Sequence, residues 1–227
     1  MAALFTIYIV IRLNLLAAHP SSPAPGSQPL QSSHDRILVR FCGSSPGRRS
    51  AYGEAARAVG TLIAQRRLTL VYGGGNVGLM GVLADACLAA GGRVVGVIPR
   101  ALADLEVAHD GLTEMHVVTS MHERKARMAD LADAFLALPG GFGTWDEFCE
   151  ALTWSQLALQ SKACAVLNVE GYYDAFLAQA DRAERDGFLR PEHRQLLLSD
   201  TDPARLLDRL QTAMVPVMEK WLDRPAR

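Results

Sequence analysis

The sequence predicts an α/β protein, a parallel sheet flanked by helices, and three observations lead there. From residue 36 onward, short β-branched apolar runs alternate with longer stretches of helical period, the pattern of repeated βαβ units. The loops expected at the carboxyl ends of three strands are rich in glycine and small polar residues, and in a parallel sheet those ends share one edge where ligands bind. No internal repeat at solenoid spacing competes with this reading.

Taken in chain order, the first expected strand is Ile37–Cys42, closed by the Cys42-Gly-Ser-Ser45 loop, and a helix follows over Tyr52–Gln65. Strand Thr69–Tyr72 runs into Gly73-Gly-Gly-Asn-Val-Gly78, which opens a helix over Leu79–Ala90. Strands Val94–Ile98 and His116–Val118 come next, then a helix over Met121–Ala132 with Ser120 at its start. Strand Ala134–Leu138 leads into Pro139-Gly-Gly-Phe-Gly-Thr144 and a helix over Trp145–Leu159. The last expected elements are strand Ala163–Val169, a helix over Tyr173–Asp186, and a helix over Pro203–Met214 with Asp202 as N-cap and Pro203 at the first helical position.

With 227 residues, 49% hydrophobic and 21% charged, the chain can bury a sizeable core without disulfides or metals, and residues 36–227 are expected to form one domain. A net charge of −1 supplies no basic field for a nucleic-acid backbone, which excludes polymeric nucleic acid as the expected partner. Lys125, Lys162 and Lys220 are the only lysines, so a Schiff-base role has three candidates. Cys42, Cys87, Cys149 and Cys164 are scattered, with no Cys-x-x-Cys pair and no His at zinc-ligand spacing; they are expected to be reduced thiols of a cytoplasmic protein that holds no metal.

Residues 1–35 read as a separate N-terminal extension. The apolar run from Leu4 to Val10 is interrupted by Arg12, lacks a preceding positive region and is too short to span a bilayer. Ala17-Ala18-His19-Pro20 is a poor cleavage site, and the Ser/Pro/Gly run from Pro20 to Ser33 has the composition of a disordered linker. A dispensable extension with no stable membrane association is expected, a misassigned start being one origin for it; a signal peptide or membrane anchor is the alternative.

Gly73, Gly75 and Gly78 satisfy G-x-G-x-x-G, yet the acidic residue that a dinucleotide site needs about twenty positions on is missing, since that strand ends at Ile98-Pro99-Arg100. Close backbone packing and ligand contact, the latter including Gly74 and Gly75, both stay open there. The Gly140-Gly141-Phe142-Gly143-Thr144 loop is more informative, because backbone amides aimed from a helix N-terminus make a site for an anion such as a phosphomonoester. Ser44 and Ser45 could add hydroxyl donors to the same anion or simply turn the chain.

Thr144 and Glu147 stand in capping-box spacing, and the same carboxylate beside a phosphate loop could instead stabilise an oxocarbenium-like transition state or activate water. Ser120 and Glu123 repeat the spacing and place Arg124 and Lys125 one turn into the next helix, where arginine's planar fork suits a phosphate or a purine ring nitrogen. A solvated basic face, with Arg127 nearby, is the competing reading of those two cations, and beside the glycine loop a functional role is favoured for Arg124. His109 and His122 read as surface or packing residues, and Glu106 could face the crevice from the loop after Pro99.

Val71-Tyr-Gly-Gly-Gly-Asn-Val-Gly-Leu-Met-Gly81, Met121-His-Glu-Arg-Lys125, Pro139-Gly-Gly-Phe-Gly-Thr-Trp-Asp-Glu147 and Thr153-Trp-Ser-Gln-Leu157 together resemble the Lonely guy family, over about Ile37 to Leu207 and including Cys42-Gly-Ser-Ser45, Val97-Ile-Pro99 and Gly171-Tyr-Tyr173. The resemblance implies a Rossmann-like three-layer fold and a homodimer that hydrolyses cytokinin riboside 5′-monophosphates, and often AMP, to free base and ribose 5-phosphate without metal, nicotinamide or other cofactor. Carried onto matching positions, it implicates Arg124 and Glu147 in catalysis. Substrate binding falls to Glu106, Lys125, Gly141, Phe142, Gly143, Thr144, Trp145, Asp146 and Thr153. Phe142 stands where tyrosine is frequent, Trp145-Asp146 replaces Leu-Glu, and Gln160-Ser-Lys-Ala163 departs from the usual His-x-Lys-Pro. Two further readings stay open: a general AMP nucleosidase, and a nucleotide or cofactor carrier on the same fold.

Overall fold

The computed structural model describes residues 37–104 and 108–213; the N-terminal extension and Glu106 lie outside them. Seven strands form one sheet in the order β4-β3-β2-β1-β5-β6-β7, with every pairing parallel. In chain order these are β1 (Ile37–Phe41), β2 (Thr69–Tyr72), β3 (Arg93–Pro99), β4 (Glu114–Val118), β5 (Ala134–Ala137), β6 (Ala163–Leu167) and β7 (Leu197–Asp200). The helices between them are α1 (Ser50–Gln65), α2 (Gly78–Ala89), α3 (Arg100–Ala103), α4 (Met121–Leu131), α5 (Phe142–Gln156), α6 (Asp174–Arg185), α7 (Pro191–Arg194) and α8 (Pro203–Thr212).

Period-two alternation along the strands sorts the core into two layers. One face carries Leu70, Tyr72, Val94, Leu136, Ala165 and Leu167 against Val59 and Ile63 of α1, Leu83 and Cys87 of α2, and Leu206 and Leu210 of α8. The other carries Phe41, Val71, Val95, Val97, Phe135 and Val166 against Met128 of α4 and Phe148 and Ala151 of α5. Strands buried on both faces explain the near-continuous apolar runs of the sequence.

The chain winds outward from β1 through β2 and β3 to β4, then returns to place β5 on the other side of β1, so the sheet changes winding direction between β1 and β5. Six strands and six helices fall where the sequence placed them, within a few residues at their ends. The seventh strand was not anticipated: β7 is four residues long at the sheet edge, and its Ser199 and Asp200 break the apolar run that marks a buried strand. Strand β6 ends at Leu167, two residues short of expectation, because a 3-10 turn with Glu170 at φ 49° takes over. Asp202 caps α8 as predicted, its carboxylate accepting from the Arg205 amide at 2.6 Å.

Candidate active site

The loops after β1 and β5 meet at the winding reversal and are stitched through the main chain. Leu138 N donates to Phe41 O at 2.9 Å, and Gly43 N donates to Pro139 O at 3.1 Å. Gly43 O in turn accepts from Leu79 N at 3.1 Å, which ties in the start of α2. Gly78 makes this possible, since its φ of +57° and the Ser44 carbonyl, which would lie 2.4 Å from a Cβ, leave no place for a side chain.

Helix α5 begins at Phe142 with Gly141 as N-cap, so Trp145 N is the first amide to find a helical acceptor, Gly141 O at 3.1 Å. The amides of Phe142, Gly143 and Thr144 precede it, at the positive end of the helix dipole. Gly141 and Gly143 face open space, which leaves an anion room to approach.

The early start of α5 alters the reading of Glu147. Thr144 is the third helical residue and is buried, not the N-cap, so the Thr144/Glu147 capping box does not form. Glu147 sits in the second turn with its side chain 14% exposed and Oε1 3.9 Å from Nη1 of Arg124. Burial pushes its carboxyl above the ordinary range; Arg124 and Lys125 pull the other way without cancelling the shift, and Asp146 and Glu150 add to it.

Ser120 does cap α4, accepting from the Glu123 amide at 3.1 Å, while Glu123 reaches back one residue beyond a capping box to the amide and hydroxyl of Thr119 at 2.7 and 2.6 Å. These bonds hold the Glu123 carboxyl below its ordinary range and fix the register of the next two residues. Arg124 is buried: its Nε donates to Val97 O of β3 at 3.1 Å, and its Nη2 would lie 1.9 Å from a Cβ at position 73, so only glycine there admits the guanidinium. A solvated basic face is thereby overturned for Arg124.

Lys125 turns instead into an ion cluster between α4 and α5, 2.5 Å from Asp146 Oδ2 and 3.1 Å from Glu150 Oε2. Burial lowers its pKa, but the two carboxylates outweigh that and hold it above the ordinary lysine range. Phe142 and Trp145 form an exposed edge-to-face pair, centroids 5.4 Å apart, at the mouth of the loop. Thr153 is exposed farther along α5, its hydroxyl donating to Cys149 O at 2.7 Å; no hydrogen bond or ion pair among the described residues joins it to Arg124 or Glu147.

Ser44 and Ser45 are exposed beside the loop, with Ser45 Oγ accepting weakly from Gly47 N at 3.5 Å. Gly74 and Gly75 are buried beneath the segment that follows α3: Gly74 O accepts from His109 N at 3.1 Å, and Gly75 bridges to Ala108. His109 proves a packing residue, buried with Nε2 2.9 Å from Asp85 Oδ1. Sequence reasoning missed Glu150, which only the helical offset from Glu147 could have flagged. It also gave no role to Tyr172 and Tyr173, whose hydroxyls reach the carbonyls of Gly140 and Leu138. Among the described residues, no group of three or more His, Cys, Asp or Glu side chains could hold a metal ion, and no helix is long and apolar enough to cross a membrane.

The all-parallel sheet, flanked by helices on both faces and reversing its winding between β1 and β5, defines a Rossmann-like α/β protein. Solved structures of a molybdenum cofactor binding protein from Rippkaea orientalis (20% identity, TM-score 0.61, covering 80% of this chain and 98% of that one) and a molybdenum cofactor carrier protein from Chlamydomonas reinhardtii (19%, TM-score 0.60, 79% and 99%) share the fold. The chain belongs to the Lonely guy (LOG) family. It is 53% identical over 164 residues to the cytokinin riboside 5′-monophosphate phosphoribohydrolase of Rhodococcoides fascians, covering 72% of this chain and 83% of that protein. To the enzyme of that name, LOG5, from Arabidopsis thaliana it is 44% identical over 182 residues, covering 80% and 79%. A family model described as "Possible lysine decarboxylase" matches residues 80–210. The surroundings of the two lysines in that stretch speak against a Schiff-base amine, since the carboxylates of Asp146 and Glu150 hold Lys125 in its charged form and Lys162 donates to Ala129 O at 2.5 Å.

Proposed function

We propose that the chain, through residues 36–227 acting as one domain, hydrolyses the N-glycosidic bond of N6-substituted AMP, releasing a cytokinin base and ribose 5-phosphate. The observation that carries this reading is the pairing of buried Arg124 with the partly buried Glu147 beside the open amides of α5. The 5′-phosphate lies on the amides of Gly141 to Thr144, with the Thr144 hydroxyl alongside, and the ribose lies toward Glu147. As the C1′–N9 bond breaks, its electron pair goes to the purine, where the Arg124 fork hydrogen-bonds a ring nitrogen, and positive charge grows at C1′. Water adds to C1′ and gives its proton to Glu147, whose raised pKa makes the carboxylate a better base; the proton then passes to the departing base.

Lys125 and Asp146 serve this site by fixing α4 against α5, while Phe142, Trp145, Glu106 and Thr153 complete the substrate contacts. The enzyme works as a cytoplasmic homodimer, to which the exposed Phe142 and Trp145 bring apolar area. Chromatographic measurement of free base and ribose 5-phosphate from AMP and its N6-isopentenyl derivative tests the reading. Turnover by wild type, with preference for the N6-substituted substrate and loss in Glu147→Gln and Arg124→Ala, is expected. Nucleotide binding with no release by wild type would overturn it in favour of a carrier, and equal use of AMP would make the chain a general AMP nucleosidase.

A further inference from the structure

Four consecutive carbonyls, from Leu138 to Gly141 at the start of the glycine loop, are committed to donors of the protein. Leu138 O accepts from the Tyr173 hydroxyl at 2.6 Å, Pro139 O from Gly43 N at 3.1 Å, Gly140 O from the Tyr172 hydroxyl, and Gly141 O from Trp145 N at 3.1 Å. A loop that receives an anion must turn its N–H groups toward the ligand and its carbonyls away, and a carbonyl left unpaired away from water costs free energy. The main chain secures two of the four. Two adjacent phenols secure the other two.

We propose that Tyr172 and Tyr173 are positioning residues for the substrate's phosphate: the Tyr172 hydroxyl holds the Gly140 carbonyl outward, which turns the N–H of Gly141 in the same peptide toward the anion, and the Tyr173 hydroxyl anchors the Leu138 carbonyl at the base of the loop, where Pro139 has no N–H to present. Both rings are set rigidly for this. Tyr173 is 2% exposed and its amide donates to Asn168 Oδ1 at 2.8 Å; Tyr172 packs edge-on against Tyr173 at 5.0 Å and against Tyr52 at 5.7 Å. Burial pushes the Tyr173 phenol up, so it remains a donor throughout the neutral range.

The inference rests on the phosphate reading above, and one titration series separates the two. Wild type, Tyr172→Phe, Tyr173→Phe and Tyr52→Phe are titrated with ribose 5-phosphate and with adenosine, which lacks the phosphate, and KM and kcat for AMP are measured alongside. Tyr52→Phe removes a neighbouring hydroxyl that makes no hydrogen bond to the loop and serves as the control. Tyr172→Phe is expected to weaken ribose 5-phosphate and raise KM for AMP by about 5- to 10-fold, the effect of one lost hydrogen bond. Adenosine affinity, kcat and the Tyr52→Phe control stay near wild type. Equal ribose 5-phosphate affinity in wild type and Tyr172→Phe overturns the tyrosine role alone, as does an equal loss for both ligands, which marks general loosening. Wild type that binds adenosine but no ribose 5-phosphate overturns the phosphate reading and the inference with it. Should the buried Tyr173→Phe fail to fold, Tyr172→Phe decides.

Discussion

Arg124 and Glu147 approach to 3.9 Å across the gap between α4 and α5, close enough to feel each other's charge and too far for the short bidentate bond of a structural ion pair. Arg124 is held by the Val97 carbonyl, the Met121 sulfur and the space left at Gly73, and no hydrogen bond among the described residues joins it to Glu147.

Glu147→Gln preserves shape and removes the proton acceptor. Its kcat should fall about 10²- to 10⁴-fold with KM less affected, as measured by release of ribose 5-phosphate. A variant with unchanged kcat would remove Glu147 from the chemistry.

The same substitution should raise stability in a pH-dependent way. Because burial lifts the native pKa of Glu147 above its ordinary value of 4.5, the unfolded chain surrenders this proton first as pH rises. Between the two pKa values the native state binds more protons, so stability declines with rising pH and the full penalty persists above the native pKa. Glu147→Gln should therefore raise Tm at pH 7 to 8, with the gain vanishing toward pH 4; a Tm difference independent of pH would contradict this.

Gly73→Ala sets a methyl against Nη2 of Arg124. Turnover should collapse, while stability falls by about 1–3 kcal/mol, the usual range for overpacking. Activity near wild type in a folded Gly73→Ala protein would show that the guanidinium need not occupy this position.

Arg124→Lys keeps the charge and loses the fork as well as the Nε–H bond to Val97. A loss of about 10²- to 10³-fold in kcat/KM is expected, on the scale of one removed charge-stabilising donor. Steady-state kinetics on AMP measure it.

Ser120→Ala removes the cap that sets the register of Arg124. It should cost about 1 kcal/mol, seen in urea unfolding as a lower midpoint with unchanged slope.

Much of the fold was legible because burial on both sheet faces writes long apolar runs into the strands, and glycine marks the loops between them. β7 was not, being four residues long with two polar ones at an edge. Within the site, spacing alone left Glu147 divided between cap and catalyst, since the pattern Thr-x-x-Glu does not say where the helix begins; Gly141 as N-cap moves that start two residues ahead of Thr144. Lys125 illustrates a different limit. Its partners Asp146 and Glu150 come from another helix, and only the packing of α4 on α5 reveals that its charge is already engaged.

Gly43 has a consequence for how the site is held. Its N–H donates to the loop that follows β5 and its C=O accepts from the helix that follows β2, so the two peptide planes that meet at its Cα tie together the loops on either side of the winding reversal. Dipoles coupled in this way are aligned before any ligand arrives. The geometry of the loop after β5 is thereby set during folding, so the mechanism proposed above needs no rearrangement of this main chain to receive its ligand.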